Sequence, residues 1–435
     1  MTPLFPDLPP ANPEAVPAGL PAGKPRLQIA NRQQLFWRPT NLEDLLPPDH
    51  LARAIWAVVE GLDLSAFTAD IRAVEEHEGR PAIDPHLLLA VWLYAFSEGV
   101  GSARAVDRLC DQHDAYRWIL GGVSVNYHTL SDFRWKHPQA LEQLLTDILA
   151  GLIHAGLVDF EQVAQDGMRV RASAGADSFR RQPTLEQSLT QAEAQVGRLS
   201  RQLEAPDRPP AGPSARQQAA ATRAARERQQ RLKQALEELP KVRAARAKDP
   251  EEARVSMTDP EARVMKMADG GYRPAYNLQF ATDCAHQIIL GVEVTNIGND
   301  MGRLLPMLDQ LERRFGRLPK EVLVDGGYAA GQAIVDASER GVTVYAPVKK
   351  GKQPHEPHPG DPPAVADWRV RMGTDHARAI YPLRAATAEC VNALARLRSV
   401  TQFRLRGLDK VRPLAFLLAI AHNLFRWRTL MPVAA

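Results

Sequence analysis

The sequence predicts a mixed α/β protein with an all-helical N-terminal region and a helical insertion in its α/β part. Three observations lead there. Residues 40–158 carry helix-start signals and helical periodicity without strand patterning. From Gln162 onward, β-branched runs alternate with amphipathic helices, as in a sheet layered with helices. Between them, residues 184–252 turn to Ala, Arg, Gln and Glu, almost without aromatics.

The N-terminal Pro-rich stretch, residues 1–26, is expected to be a disordered tail. Residues 27–158 then form a helical domain. Asp84-Pro85 is a capping Asp with Pro at the first helical position, and the apolar run Leu87 to Phe96 behind it should be buried. Gly99 and Gly101 end that helix, and Ser102 is placed to cap the next. After Gly121-Gly122, the stretch Tyr127 to His137 mixes aromatic and basic residues on a short helix. Short helices broken by glycine turns, the last one basic, suit a helix-turn-helix-like DNA-binding unit, with Arg104, Arg108, Arg134 and Lys136 as its contacts. An ordinary helical bundle fits the same pattern.

Strands are predicted at Gln162–Arg171, Tyr276–Thr282, Ile288–Thr295, Val322–Val324 and Val342–Val348, and helices at Asp300–Phe315 and Gly331–Arg340. Lys349, Lys350 and Lys352 open a Pro- and His-containing loop to about His376, and two helices, about Leu383–Leu397 and Leu408–Arg428, close the chain. The α/β part thus comprises 159–183 and 253–428. Residues 184–252, with sparse leucines and prolines Pro206 to Pro213 at the centre, read as a helical hairpin or a solvated arm.

Composition narrows the function. The 435 residues allow two or three domains, and 45% hydrophobic content allows a sizeable core. A net charge of +3 does not by itself point to nucleic acid, but its distribution is uneven: eight Arg and Lys between Arg396 and Arg428 face one acid, Asp409. Cys110, Cys284 and Cys390 are too scattered for zinc or a disulfide framework, which suits a reducing cytosol. The N-terminus lacks signal-peptide character, and the longest apolar run, Leu414–Ala421, is too short to span a bilayer.

Three acids stand out. Asp166 interrupts an apolar strand and precedes Gly167; Asp325 ends a strand and precedes Gly326-Gly327; Glu389 shares a helix face with Asn392 and Arg396. Ligands gather at strand ends in α/β sheets. Taken singly, each acid reads equally well as a cap or a surface charge. Asp283 and Asp300 also adjoin strand ends, and His376 and His422 are weaker candidates.

Tyr381-Pro382-Leu383-Arg384, Thr387-Ala388-Glu389 and Arg396 together resemble the Tyr-Arg-Glu-Lys signature of bacterial insertion-sequence transposases, with Arg396 where many members carry Lys. Arg406 to Arg412 and Ala421 to Leu424 are similar to the C-terminal tail of that family. Gln165-Asp166-Gly167 and Leu323-Val324-Asp325-Gly326-Gly327-Tyr328 are similar to its two aspartate strands, and Ile83–His137 to the domain that precedes many such cores. The insertion departs from the pattern, because many relatives insert instead between the second Asp and the Glu.

The resemblance implies a ribonuclease-H-like mixed sheet flanked by helices, with Asp166, Asp325 and Glu389 catalytic. It implies two Mg²⁺ ions, replaceable by Mn²⁺, with Asp166 bridging both. Two ions roughly 4 Å apart can stabilise both the attacking and leaving oxygens of a phosphodiester. Tyr381, Arg384, Arg396, Arg406 and Lys410, with Lys349 and Lys350, would contact DNA. The implied partners are the element's terminal inverted repeats and target DNA as duplex, and a second copy of the chain. No membrane is involved, and the place of action is the bacterial cytoplasm at the nucleoid. A metal-dependent nuclease that cuts without joining would carry the same acids. A DNA-binding regulator without catalysis would need only the helical region.

Overall fold

The computed structural model describes residues 33, 41–69, 71, 73, 81–204, 215–246, 248–351, 353–398 and 400–431. The expected tail, most of 27–40, the Pro206–Pro213 break and Lys352 lie outside them. The described residues from Leu42 to Met431 belong to one compact unit.

The chain begins with α1 (Leu51–Glu60), α2 (Pro85–Ser97), α3 (Ala103–Gln112), α4 (Asp114–Leu120), α5 (Tyr127–Phe133) and α6 (Pro138–His154). The Asp84 carboxylate accepts the His86 N–H ahead of Pro85, so α2 starts where the sequence places it. Its residues Leu88 to Phe96 are buried, and the Trp92 indole donates to the Leu130 carbonyl at 3.0 Å. Ser102 precedes α3 without capping it, whereas Asn126 caps α5 by accepting the His128 and Thr129 N–H groups.

Strand β1 (Gln162–Arg171) follows, then a short β2 (Phe179–Arg180). The insertion is a helical hairpin, α7 (Gln182–Glu204) and α8 (Ala215–Ala244), closed at its base where β2 pairs antiparallel with β3 (Val255–Ser256). Its leucines act as the anchors the sequence suggests: Leu185, Leu232 and Leu239 are buried in a small core with Ala253 and Val255.

The main sheet adds β4 (Arg263–Lys266), β5 (Tyr272–Asp283), β6 (Ile289–Thr295), β7 (Glu321–Leu323) and β8 (Thr343–Tyr345). Its order is β4-β5-β1-β7-β8, with β6 also on β5. β5 is antiparallel to β1, while β7 and β8 run parallel to it. Helices α9 (Leu304–Phe315) and α10 (Gly331–Glu339) occupy the connections. Then come α11 (Pro363–Met372), α12 (Asp375–Ile380), a π-helical turn over Ala385–Glu389, α13 (Cys390–Leu397) and α14 (Leu408–Leu430).

Three expectations need correction. β5 starts at Tyr272 rather than Tyr276, behind the unforeseen β4. The stretch from Lys349 to His376 is not merely a loop: Pro362-Pro363 starts α11, whose buried Trp368 donates to the Ala346 carbonyl at 3.1 Å. The helix expected over Leu383–Leu397 opens as a π-turn, a feature that often marks functional sites.

One hydrophobic cluster runs from α1–α6 through β1, β5 and β6 to α14. A second lies under α10 and α11 on the β7–β8 side. No helix among the described residues is long and apolar enough to cross a membrane.

Candidate active site

Register brings the first two acids together. β1 and β7 pair in parallel with Gln162 opposite Glu321, Val163 opposite Val322 and Ala164 opposite Leu323. The pairing ends two residues short of Asp166 on one strand and of Asp325 on the other, so both acids lie just beyond it on the same side. β1 itself runs on, pairing Asp166 with Phe280 and Gly167 with Gln279 on β5. β7 stops at Leu323, so Asp325 stands just past its end, its carboxylate accepting the Gly327 N–H.

Glu389 arrives from a helix. Small residues let the π-turn lie close on the sheet: Ala388 and Ala377 are buried with Ala164, Leu323 and Tyr345. The chain after α13 is pinned to the same strand, because the Arg171 N–H donates to the Thr401 carbonyl and the Phe403 N–H to the Arg171 carbonyl. Tyr381, half-buried, donates its hydroxyl to the Val324 carbonyl at 3.3 Å, tying the approach of the helix to the residue before Asp325.

Asp166, Asp325, Glu389, Arg384, Asn392 and Arg396 line one open cavity of about 390 Å³. The acids are 159 residues (325 − 166) and 64 residues (389 − 325) apart in the chain. The Arg384 guanidinium lies between two of them, 3.7 Å from Asp166 and hydrogen-bonded to Glu389. Among the described residues no group of three acidic, His or Cys side chains forms a ready metal cluster. In this cavity Arg384 pairs with two of the three acids. Asn392 donates to Asp166 at 3.0 Å, and its other amide atom, the buried Oδ1, has no hydrogen-bond partner among the described residues. Burial raises the Asp166 carboxyl above the usual Asp range; Arg384 pulls the other way, and Asp325 and Asp300 add to the rise.

Behind Asp166 lies a buried polar network that sequence reasoning missed. Asp300 accepts from Asn277 at 2.9 Å, Gln279 at 2.7 Å and Arg169 at 2.9 Å. The Gln279 carbonyl accepts from Gln165 and from the Tyr328 hydroxyl. Gly167 touches this network, where a Cβ would sit 2.2 Å from the Gln279 amide nitrogen and 2.6 Å from Asp300. Close packing against this network therefore accounts for a glycine after Asp166.

The remaining candidates are dispersed. Arg104 and Arg108 are exposed on α3, Arg104 lying 5.1 Å from the Tyr127 ring. Lys136 is exposed and paired with Asp132 at 2.7 Å. Arg134 departs from its expected DNA-contact position: it is 2% exposed, stacks over Trp92 and donates to the Gly101 carbonyl, so it presents nothing to a phosphate. Lys349 and Lys350 are exposed after β8. Arg406 is exposed and donates to the Ser173 carbonyl, and Lys410 lies 4.3 Å from the Trp135 ring. Asp283 is buried, accepting N–H groups of Asp159, Phe160 and His286. His422 is buried between Arg398 and the Gln287 carbonyl, and His376 is exposed beside Tyr345. None of these residues lines the cavity of the three acids.

Residues 40–136 match the family described as Transposase domain, and residues 242–424 match the Transposase DDE domain, a class of enzymes that cut DNA and transfer strands. The chain belongs to the insertion-sequence transposases of the DDE class and is a DNA transposase. No curated protein matches it. The second match contains Asp325 and Glu389 but begins at residue 242, in the last turn of α8, and so leaves out Asp166, which shares their cavity.

Proposed function

We propose that Asp166, Asp325 and Glu389 are the catalytic acids of this transposase and hold its two divalent ions, Mg²⁺ or Mn²⁺. The observation that carries the reading is that three acids so distant in the chain line one polar cavity. Sheet order supports the finer ribonuclease-H-like assignment: the central strand carries the first acid, and its parallel neighbour leads into the second. The donor set suits the ions, since Mg²⁺ prefers a few carboxylates and keeps waters, and the orphaned Asn392 oxygen gives such a water an acceptor. When bound, the ions supply activation of the attacking oxygen and stabilisation of the leaving one.

The chain's own groups do the rest. Asn392 orients Asp166. Tyr381 holds the helix of Glu389 against the strand of Asp325. Arg384 neutralises Asp166 and Glu389 and, with Arg396, offers guanidinium donors that fit a phosphate in pairs. The exposed Arg104, Arg108 and Lys136 of the helical region would bind the element's ends, with a second copy of the chain on the partner end. The work is done in the bacterial cytoplasm.

The test is a set of amide variants. Asp166→Asn, Asp325→Asn and Glu389→Gln keep shape but lose charge. Each should lower cleavage of end-containing DNA by orders of magnitude, and a double variant should lose little more than a single one. DNA binding should persist, because Arg and Lys provide most of the grip. Normal cleavage by all three variants sinks the assignment.

A further inference from the structure

A second cavity of about 680 Å³ opens beside the acidic one. The two are continuous: Gly167, next to Asp166, lines the second, and Arg396 lines both. One wall is the far half of β1, with Arg169 and Arg171; the other is the β4–β5 hairpin, with Lys266 and Arg273. Its lining carries five cations, these four and Arg396, against one acid, Asp269.

Not all five are free. Arg169 is engaged by Asp300, and Arg273 pairs with Asp269 at 2.7 Å, which neutralises the acid. Arg171, Lys266 and Arg396 are exposed and form no ion pair among the described residues. Three unpaired cations lining one cavity repel one another unless an anion lies among them, and a line of phosphates is such an anion. The neighbouring cavity carries three carboxylates against two arginines, so the phosphates flanking the reacting one gain from a cationic seat nearby.

We infer that this groove seats the phosphate backbone of a DNA strand on one side of the reacting phosphate, with Arg171, Lys266 and Arg396 as its contacts. Arg171 stands opposite Ala275 of β5 and Lys266 opposite Tyr272, so β5 lies between the two strands that carry them. The groove width is therefore held by the sheet and not by flexible loops. Arg169 is held by Asp300 at 2.9 Å, which leaves Arg171, Lys266 and Arg396 as the free charges of the lining. This inference rests on reading Asp166 as part of the catalytic centre.

The test is DNA affinity of the full chain in chelator, as a function of salt. The variants are Arg171→Ala with Lys266→Ala and, as control, Arg313→Ala with Arg317→Ala, two exposed cations near the end of α9. Each phosphate contact contributes about 0.9 to the slope of log affinity against log salt for duplex, or about 0.7 for a single strand. The groove double variant should lose roughly 1.4–1.8 from the slope and bind at least about tenfold more weakly at low salt. The control should keep the wild-type slope. Arg171→Lys with Lys266→Arg should restore it, which a general loss of structure would not allow. An unchanged slope in the groove variant, or an equal loss in the control, overturns the groove. Because binding is read without metal, failure of the acids to support cleavage would appear separately, in wild-type protein that binds through the groove and does not cut.

Discussion

Gly167 shows how tightly the site is specified at the level of single atoms. It lies between Asp166 and the cluster of Asn277, Gln279 and Asp300, and each of those side chains is held by other bonds. A methyl group there cannot be met by the swing of one free side chain. Gly167→Ala should therefore destabilise the protein by about 1–3 kcal/mol, as overpacking does. It should also reduce cleavage beyond what the lost stability explains, because Asp166 rides on the same backbone. Gly175→Ala is the control, since a Cβ there meets nothing within 4 Å. Chemical denaturation midpoints and cleavage rates for the two decide it: equal behaviour would mean that the network yields easily. In the sequence Asp166 and Asp325 stood out as acid-glycine pairs, one interrupting a strand and one ending a strand, and Glu389 as part of a signature. The network was not, because Asn277, Gln279 and Asp300 look like ordinary polar residues until β5 is laid against β1. Arg134 was misread for a similar reason: a basic residue beside Trp135 suggests a surface, yet its ring partner is Trp92, far away in the chain.

At the scale of elements, periodicity made most of the strands and helices legible, while paired and irregular ones escaped. β4 is four residues long and gains its order from the ladder with β5. The π-turn has the composition of any helix and is set by packing Ala388 against the sheet. The hairpin of α7 and α8 was visible as a composition change, and its closure follows from β2 pairing with β3. That pairing predicts how the element can be removed. Phe179 and Arg180 already stand opposite Ser256 and Val255, so a short turn can replace residues 184–250 with little cost in loop entropy. The small core of the hairpin is distinct from the main one, and its chief tie to the body is the Arg263–Glu238 ion pair. The deleted protein should stay soluble and keep one cooperative melting transition. Wholesale aggregation would show that the hairpin supports the core it projects from.

At the scale of the whole molecule, the helical region and the sheet are joined through α14. Leu414, Leu417, Leu418, Ile420 and Leu424 are buried in the cluster that also takes in Leu141, Leu145, Ile148 and Leu149 of α6. Lys410 lies on the Trp135 ring, and Arg314 of α9 donates to Thr146 and lies 3.5 Å from Glu142 of α6. Burying each large aliphatic side chain contributes about 1.5–3 kcal/mol, so the five on α14 together rival the whole margin of about 5–15 kcal/mol by which domains are stable. Cutting the chain before β1 should therefore leave residues 159–431 with an exposed apolar face on α14. That fragment should aggregate or bind a hydrophobic dye when expressed alone, and co-expression with residues 41–158 should rescue it. A fragment 159–431 that melts cooperatively and stays monodisperse without its partner would show that the helices are a separable module. The shared core has a mechanical consequence for the reaction. Helices α5 and α6, with Lys136 exposed just past α5, cannot move independently of α14, and the chain between α13 and α14 is hydrogen-bonded to Arg171 of β1. If the helical region grips DNA as proposed, that DNA is held at a set distance from Asp166, and slack introduced between α6 and β1 should uncouple end binding from cleavage.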